Sequence, residues 1–120
     1  MTAPILVIDD DANIREPVTE IFGAAGFHVV AAENGNQAMV ALRGGLRPSW
    51  ALVDLVMPVM DGETFCRQLH RDPTWASIPV VLYSAESDIA DVAVRCGAIG
   101  WLKKRASVDS LLELARRLAR

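Results

Sequence analysis

The sequence predicts an α/β fold in which five strands alternate with five helices in a doubly wound (βα)5 arrangement. Short apolar runs rich in branched residues alternate along the chain with segments whose apolar residues recur at helical spacing. No hairpin signal joins consecutive runs, so we expect right-handed crossovers and an all-parallel sheet. A hydrophobic content of 52% against 22% charged residues suits a sheet covered by helices on both faces. The length of 120 residues corresponds to one domain.

The first two strand and helix pairs are placed by their apolar spacing and by the breakers that follow them. Strand one is predicted at 4–9 and helix one at 12–24, where glycines mark the exit. Pro17 lies inside this helix, and we expect a local distortion there because proline donates no backbone hydrogen bond. Strand two is predicted at 27–32. Helix two falls within 33–45, between a turn that contains Asn-Gly and a pair of glycines.

The remaining elements continue the same alternation. Their strands are short apolar runs, and their helices carry apolar residues on one face and polar residues on the other. Asp61 is predicted to be the N-cap of helix three, and Gly97 to close helix four. In chain order, these elements are predicted at 51–54, 62–70, 78–83, 89–96, 99–102 and from 107 to the end of the chain.

Four of the predicted strands end in residues that can carry chemistry. Strand one ends in the acids Asp9, Asp10 and Asp11, and strand three ends in Asp54. Strand four is followed by the hydroxyl of Ser84, and strand five by the amine of Lys104. The carboxyl ends of strands in open parallel sheets are where ligands bind. Any one of these residues alone is more often a turn residue or a solvated charge. Several carboxylates in one crevice repel one another, so either their pKa values rise or a hard divalent cation such as Mg²⁺ neutralises them.

The stretch that follows strand three carries the most specific signal. It contains the pattern Asp54-x-x-Met57-Pro58-x-Met60-Asp61-Gly62. This pattern resembles a signature of the receiver domain of two-component response regulators. Together with the polar strand ends, the resemblance covers the whole chain. It implies one receiver domain over residues 1–120, a flavodoxin-like sheet with strand order 2-1-3-4-5, and Asp54 as the phosphoacceptor.

The resemblance implies a metal site and a phosphodonor. Asp10, Asp54 and the backbone carbonyl of Val56 would bind Mg²⁺ directly, and Asp9 would act mostly through a coordinated water. The phosphoryl group would come from a sensor histidine kinase, a phosphotransfer protein or a small acyl phosphate. Asp54 would attack it and become an aspartyl phosphate.

The resemblance also assigns the residues that contact the phosphoryl group and report its arrival. Ser84 would offer its hydroxyl to one phosphoryl oxygen and Lys104 its ammonium to another. Lys103 competes for the second role, but the residue three positions after the aromatic Trp101 is Lys104. Ser84 and Trp101 would form the switch. Their movement would alter the surface made by helix four, strand five and helix five, which would contact an unknown output partner or a second receiver in a phosphorylation-dependent dimer.

Three positions are expected to adjust this general scheme. Val56 and Glu86, two residues after the phosphoacceptor and the hydroxyl, would line the approach of the water that removes the phosphoryl group. The family usually has a proline after its lysine, often with a cis bond, whereas this chain has Arg105. Since a cis bond before a non-proline residue costs several kcal/mol, about 3–4 kcal/mol in peptides, this bond is expected to be trans or specially held.

Charge and composition limit the partners. The net charge of −3 gives no electrostatic case for binding nucleic acid or a membrane surface. No apolar run approaches the roughly 18 residues of a membrane span, and the sequence does not open on a charged-then-apolar stretch, so we expect neither a membrane span nor secretion. Cys66 and Cys96 lie in predicted helices without the spacing of a metal site, so they are expected to be reduced thiols of a cytoplasmic protein.

Two other functions stay open at the level of sequence. The stretch Asp9-Asp10-Asp11-Ala12-Asn13 superficially resembles the first motif of haloacid-dehalogenase-type phosphatases, although that motif has threonine or valine where this chain has asparagine. A receiver-like domain can also serve as an interaction module that is never phosphorylated. Labelling with a small phosphodonor and Mg²⁺ distinguishes these functions.

Overall fold

The computed structural model describes residues 3–119, and within them five strands alternate with five helices. In chain order they are β1 (Ile5–Ile8), α1 (Ala12–Ala24), β2 (Val29–Ala32), α2 (Gly35–Arg43), β3 (Trp50–Asp54), α3 (Gly62–Arg71), β4 (Val80–Ser84), α4 (Ile89–Cys96), β5 (Gly100–Lys103) and α5 (Val108–Leu118). Neighbouring strands are parallel and follow the order β2-β1-β3-β4-β5. The predicted fold class and strand order are confirmed.

Helices cover both faces of the sheet because successive side chains of each strand point to opposite sides. On one face, strand residues such as Val7 pack with Phe22 of α1 and Leu111 of α5. Trp50 is fully buried on this face and meets the ring of Phe22 edge-on, with the ring centroids 5.8 Å apart. On the other face, the alternate strand residues pack with α2, α3 and α4. With both faces covered, the ends of the strands are the part of the sheet left open to ligands.

Several predicted boundaries need correction. Strands one, two, four and five begin one or two residues later than predicted, because apolar residues such as Ile78 are buried ahead of the first paired residue of β4. The expected distortion at Pro17 does not interrupt α1, which is continuous from Ala12 to Ala24. Helix five begins after Ser107, which caps it, and is described to Leu118; its predicted end at Arg120 lies outside the described residues. Each helix within residues 3–119 is too short or too polar to cross a membrane.

The start of α3 is packed directly against the end of β3. The N–H of Gly62 donates to the Leu55 carbonyl oxygen at 2.8 Å. A Cβ at Gly62 would collide with the main-chain oxygen of Asp54 and lie 2.9 Å from the Leu55 Cα. Asp61 is the N-cap, as predicted, and its side chain accepts from the Thr64 N–H at 2.8 Å. The Asp61-Gly62 pair therefore fixes how closely α3 approaches Asp54.

Replacing Gly62 with alanine should destabilise the domain. The new methyl group would meet backbone atoms, which no side-chain rotation can move away, so we expect a loss of about 1–3 kcal/mol in the free energy of unfolding. Gly23→Ala is the matched control, since a Cβ there meets nothing within 4 Å, and it should stabilise α1 by about 0.5–1 kcal/mol. Urea denaturation measures both variants. Equal stability of Gly62→Ala and the parent chain would contradict the close packing at this position.

Candidate functional site

Polar side chains meet at the carboxyl edge of the sheet. Asp54 and Ser84 are the last residues of β3 and β4, and Asp9 directly follows β1. These three strands are neighbours in the sheet, and β5, which is followed by Lys104, lies next to β4. The N–H of Lys104 donates to the Ser84 carbonyl oxygen at 3.0 Å. Residues far apart in the chain are therefore brought to one edge by the strand order.

Three carboxylates form the centre of this edge. One oxygen from each of Asp9, Asp10 and Asp54 lies within 4.8 Å of the other two. Asp9 and Asp54 are buried, whereas Asp10 is exposed. Oδ1 of Asp9 accepts from the Asp11 N–H at 2.9 Å, but the buried Oδ2 accepts no well-aligned hydrogen bond. A cluster with two buried carboxylates and an unsatisfied oxygen requires positive charge close by.

Lys104 supplies positive charge from the end of β5. Its Nζ lies 3.0 Å from Asp9 Oδ2, as an ion pair without hydrogen-bond alignment, and 3.1 Å from Asp54 Oδ1. Burial opposes the charged ammonium, but the contacts with the two aspartates outweigh it and raise the pKa of Lys104 above its usual value. Lys103 instead donates from Nζ to the main-chain oxygen of Glu86 at 3.1 Å. Lys104, and not Lys103, is the lysine that joins the acids.

The titration of Asp54 reflects the same charges. Burial, followed by the negative charge of Asp9, raises the pKa of the Asp54 carboxyl to about 7, and Lys104 opposes both effects. One ammonium therefore leaves negative charge on the three carboxylates uncompensated. A hard divalent cation with oxygen ligands would meet this demand. The residues at this edge fit the predicted Mg²⁺.

Two loops form the rim of the acid cluster. In the loop after β3, the Val56 N–H donates to Asp54 Oδ1 at 3.3 Å, and the Val56 side chain is 58% exposed. In the loop after β4, the buried Ser84 accepts through Oγ from the Glu86 N–H at 3.0 Å. Val56 and Glu86 line one groove of about 390 Å³ between the two loops. The structure thus places Ser84, Val56 and Glu86 around the edge that carries Asp54.

Trp101 lies in a different environment from Ser84. It is in register with Leu82, two residues before Ser84, and its side chain is 44% exposed. It lines a cavity of about 290 Å³ between β5 and α5, together with Glu113 and Arg117. The two predicted switch residues therefore occupy a buried strand end and an open edge of the sheet.

Within residues 3–119, two non-glycine residues have positive φ, and both lie in loops that carry the site. Val59, with φ of 70°, lies five residues after Asp54 in the β3–α3 loop, and Arg105, with φ of 62°, directly follows Lys104. The left-handed region costs an ordinary residue about 1–2 kcal/mol, and it is least favourable for a β-branched side chain. The Lys104–Arg105 peptide bond is trans. The residue directly after Lys104, Arg105, therefore has a left-handed backbone conformation.

The structure adds two contacts that the sequence analysis missed. Arg15 of α1 donates from Nη1 to the main-chain oxygen of Asp9 at 2.8 Å. Glu63 of α3 binds Arg95 of α4 through contacts of 2.9 and 3.0 Å and also binds Arg67, and these arginines hold the pKa of Glu63 well below its usual range. The sequence signal for Arg15 is a positive charge in the first turn of a helix, where the dipole disfavours it. The link between Glu63 and Arg95 joins residues 32 positions apart and leaves no local pattern.

Comparison with known proteins places this geometry among signalling proteins. A family model described as the response regulator receiver domain matches residues 5–116. The DNA-binding response regulator MtrA of Mycolicibacterium paratuberculosis is 35% identical over 118 residues, which cover 97% of this chain and 51% of that protein. The regulatory protein AtoC of Escherichia coli is 31% identical over 113 residues, which cover 94% of this chain and 24% of that protein. The chain therefore spans about half of the length of MtrA and a quarter of AtoC.

Solved structures give the same result for the fold. The chemotaxis protein CheY4 of Vibrio cholerae has a TM-score of 0.89 and 27% identity, and the match covers 98% of this chain and 99% of that one. The signal receiver domain of a histidine kinase from Syntrophus aciditrophicus has a TM-score of 0.86 and 28% identity, covering 97% of this chain and 89% of that one. The five-stranded sheet and its helices are thus matched along almost the full chain.

Asp54→Asn should change how stability depends on pH. The pKa of Asp54 is about 7 in the folded chain against its usual value of 3.8. The stabilisation that its protonated form gives the folded state is therefore fully present below pH 3.8 and is lost as pH rises from there through about 7. Asparagine does not ionise. In cation-free buffer the free energy of unfolding of the variant should therefore exceed that of the parent by on the order of 1–2 kcal/mol near about pH 8, and this difference should narrow towards about pH 5. Urea denaturation at both pH values measures this. Glu20→Gln, an exposed acid on α1, serves as the control. A gap that is equal at both pH values would contradict the raised pKa.

Proposed function

The chain belongs to the response regulator receiver domain family, and from this premise we propose that residues 1–120 act as a single receiver in which Asp54 accepts a phosphoryl group. The donor is a sensor histidine kinase or a phosphotransfer protein. The observation that supports this most directly is the position of Lys104 Nζ, 3.1 Å from Asp54 Oδ1. A carboxylate at the open edge of a parallel sheet can attack phosphorus when neighbouring positive charge neutralises the charge that develops.

Asp54 and the residues around it have separate roles in the transfer of the phosphoryl group. A carboxylate oxygen of Asp54 forms the new bond to phosphorus as the bond from phosphorus to the donor atom breaks. Lys104 offers a compact positive charge to one phosphoryl oxygen. The Ser84 hydroxyl already accepts from Glu86 through its oxygen, so its own proton is free to be donated to another phosphoryl oxygen. The domain is thus a signalling switch that takes part in its own phosphorylation and slow dephosphorylation, and not a turnover enzyme.

Mg²⁺ is the proposed cofactor of this step. Asp10, Asp54 and the backbone carbonyl of Val56 are the proposed direct ligands, and Asp9 acts through a coordinated water. When bound, Mg²⁺ would neutralise charge on the carboxylates and on the incoming phosphoryl group. The clustering of the Asp9, Asp10 and Asp54 carboxylates and the raised pKa of Asp54 support this assignment.

Phosphorylation is proposed to act on the surface formed by α4, β5 and α5. Ser84 would be drawn towards the phosphoryl group, and Trp101 would then change its packing, as a population shift between two arrangements. Val94 and Ile99 are exposed on the same surface, which offers apolar area to an output partner or to a second receiver in a phosphorylation-dependent dimer. The domain acts in the cytoplasm in this scheme. With a net charge of −3 it is not proposed to bind nucleic acid or a membrane directly.

Labelling with acetyl phosphate and Mg²⁺ tests the proposal. We expect an acid-labile phosphoryl group that persists on the protein and is absent from Asp54→Ala, because Asp54 is the proposed nucleophile, whereas Asp9, the other carboxylate beside Lys104, is proposed to act on the cation through water. Glu20→Ala, which changes an exposed acid on α1, should label normally. Absence of any label would favour an interaction module that is not phosphorylated. Continued hydrolysis of the donor without a persistent label would favour a phosphatase.

Trp101 fluorescence should report activation. We expect its emission to change when beryllofluoride, a phosphoryl mimic, binds in a background in which Trp50 and Trp75 are replaced by phenylalanine. The reason is that Trp101 is 44% exposed beside a cavity, so a change in its packing alters its contact with water. The same titration of an Asp54→Ala version provides the control. Unchanged emission while the mimic demonstrably binds would mean that Trp101 is not a switch residue.

Val56 should prolong the phosphorylated state. Its side chain lies on the groove beside Asp54 and has no polar atom with which to orient an attacking water, whereas Glu86 on the same groove can accept a hydrogen bond. We therefore expect Val56→Asn to speed the loss of phosphate by on the order of tenfold, which corresponds to about 1.4 kcal/mol in the barrier. Val59→Asn makes the same change three residues later and should leave the rate unaltered. If Val56→Asn loses phosphate no faster than the parent, the loop that carries Lys104 and Arg105 controls access of water instead.

A further inference from the structure

Arg15 occupies an unusual position beside the acid cluster. It lies in the first turn of α1, and its side chain is 14% exposed. Nη1 donates to the main-chain oxygen of Asp9 at 2.8 Å, whereas Nη2 is 3.9 Å from Oε1 of Glu33. Glu33 is 64% exposed, so this long, solvated ion pair contributes little to holding the arginine. The short bond to the Asp9 carbonyl is the contact that fixes the guanidinium.

Two general effects oppose a partly buried positive charge at this place. The amino-terminal end of a helix disfavours cations, and partial burial removes some of the hydration of the guanidinium. The bond to Asp9 offsets part of this penalty. The Asp9 carbonyl lies past Ile8, the last residue of β1 that is paired with β2 and β3, and it therefore needs a partner from outside the strand ladder.

With Arg15 in place, the backbone of Asp9 is held on both sides. Its N–H donates to the Ala32 carbonyl oxygen at 3.2 Å, and its carbonyl accepts from Arg15. Because a peptide unit is planar, the Asp9 carbonyl and the Asp10 N–H are parts of one rigid group. Arg15 therefore sets the direction in which Asp10 leaves the strand. Asp10 is the exposed member of the acid cluster and the one without the packing that holds Asp9 and Asp54.

From this geometry we propose that Arg15 is a positioning residue for the cation site: by holding the peptide between Asp9 and Asp10, it keeps the Asp10 carboxylate within reach of a cation shared with Asp54. This role rests on the proposed phosphoacceptor function and names a further residue on which it depends. Arg15 acts through the Asp9 main chain and touches no reacting atom.

The charge of Arg15 and its positioning role have opposite effects on Mg²⁺ affinity, which makes the role testable. A guanidinium near the cluster repels a cation, so charge alone predicts that removing it tightens Mg²⁺ binding. Positioning predicts that removing it weakens binding, because Mg²⁺ accepts little distortion of its ligands. Arg15→Gln removes the charge, and Arg15→Lys keeps it but replaces the planar fork with a single point donor. If positioning dominates, both variants bind Mg²⁺ more weakly.

The experiment is a calorimetric titration of the intact chain with MgCl₂. We expect the dissociation constant to rise about tenfold in both Arg15 variants, the lower end of the effect of residues that orient metal ligands. Glu33→Gln removes the ion pair of Arg15 and leaves the bond to Asp9, so it should bind like the parent. Asp10→Asn removes a proposed ligand and should lose most of the affinity.

A second measurement separates positioning from general damage to the fold. The rate of labelling by acetyl phosphate, followed against Mg²⁺ concentration, should reach the same maximum in Arg15→Lys as in the parent, but at a higher concentration of Mg²⁺. A lower maximum with an unchanged midpoint would indicate a structural role and overturn the proposal. So would tighter or unaltered Mg²⁺ binding in Arg15→Gln. If the parent chain itself neither binds Mg²⁺ nor accepts a label, the phosphoacceptor function fails together with this role; if it does both and the Arg15 variants match it, only the role of Arg15 fails.

Discussion

Two buried carboxylates that share one ammonium are the constraint on which the rest of this structure depends. Asp9 and Asp54 end neighbouring strands and are almost fully buried, so their charges repel across a short distance with little help from water. Lys104 lies within 3.1 Å of both and reduces this repulsion without removing it. Burial, followed by the negative charge of Asp9, still raises the pKa of Asp54 to about 7. The same excess of negative charge destabilises the folded chain and, on the proposed function, favours the binding of a cation and then of a phosphoryl group with its cation.

The loops around this cluster hold conformations that their residues do not favour. Val59 and Arg105 have positive φ; Val59 lies five residues after Asp54 in the β3–α3 loop, and Arg105 directly follows Lys104. A strained backbone conformation persists only where the surrounding contacts hold it in place. After Asp54 those surroundings are the close contact of Gly62 with the end of β3 and the cap made by Asp61. Strain in both loops is therefore consistent with a site whose geometry is set before any ligand arrives.

The parts of the fold and of the site that could be predicted are those indicated by a pattern among residues close together in the sequence. Apolar runs and breakers placed all five strands and helices, and the polar strand ends singled out Asp9, Asp54 and Ser84, because the end of a buried strand is visible in the sequence. The choice of Lys104 over Lys103 came from the resemblance, and the register of β5 gives its physical reason, since Lys103 pairs with Ser84 and reaches towards Glu86. Adjacent residues in and after a strand point in opposite directions, so only one of the two lysines can face the acids.

Long-range contacts and unfavourable backbone conformations could not be predicted in this way. The bond from Arg15 to the Asp9 carbonyl and the pair between Glu63 and Arg95 arise only once the helices are packed. Nothing in the sequence marks Val59 for positive φ either, since valine is among the residues least suited to it. The resemblance supplied the strand order, which apolar periodicity does not encode.

The hydrogen bonds beyond Ser84 indicate which part of the molecule a change at Asp54 would reach first. Ser84 Oγ is bonded to the Glu86 N–H, and the Glu86 carbonyl accepts from Lys103, so on the proposed function a movement of Ser84 towards a phosphoryl group pulls directly on the loop between β4 and α4. The first turn of α4 follows this loop, and its N-cap, Asp88, makes no side-chain capping bond. The opposite end of α4 is held more firmly, by the bidentate contact of Arg95 with Glu63 and by the left-handed Gly97 that closes the helix. A rearrangement that begins at Ser84 therefore meets α4 at its less anchored end, so the amino-terminal turn of α4 can shift while Arg95 keeps the other end of the helix against α3.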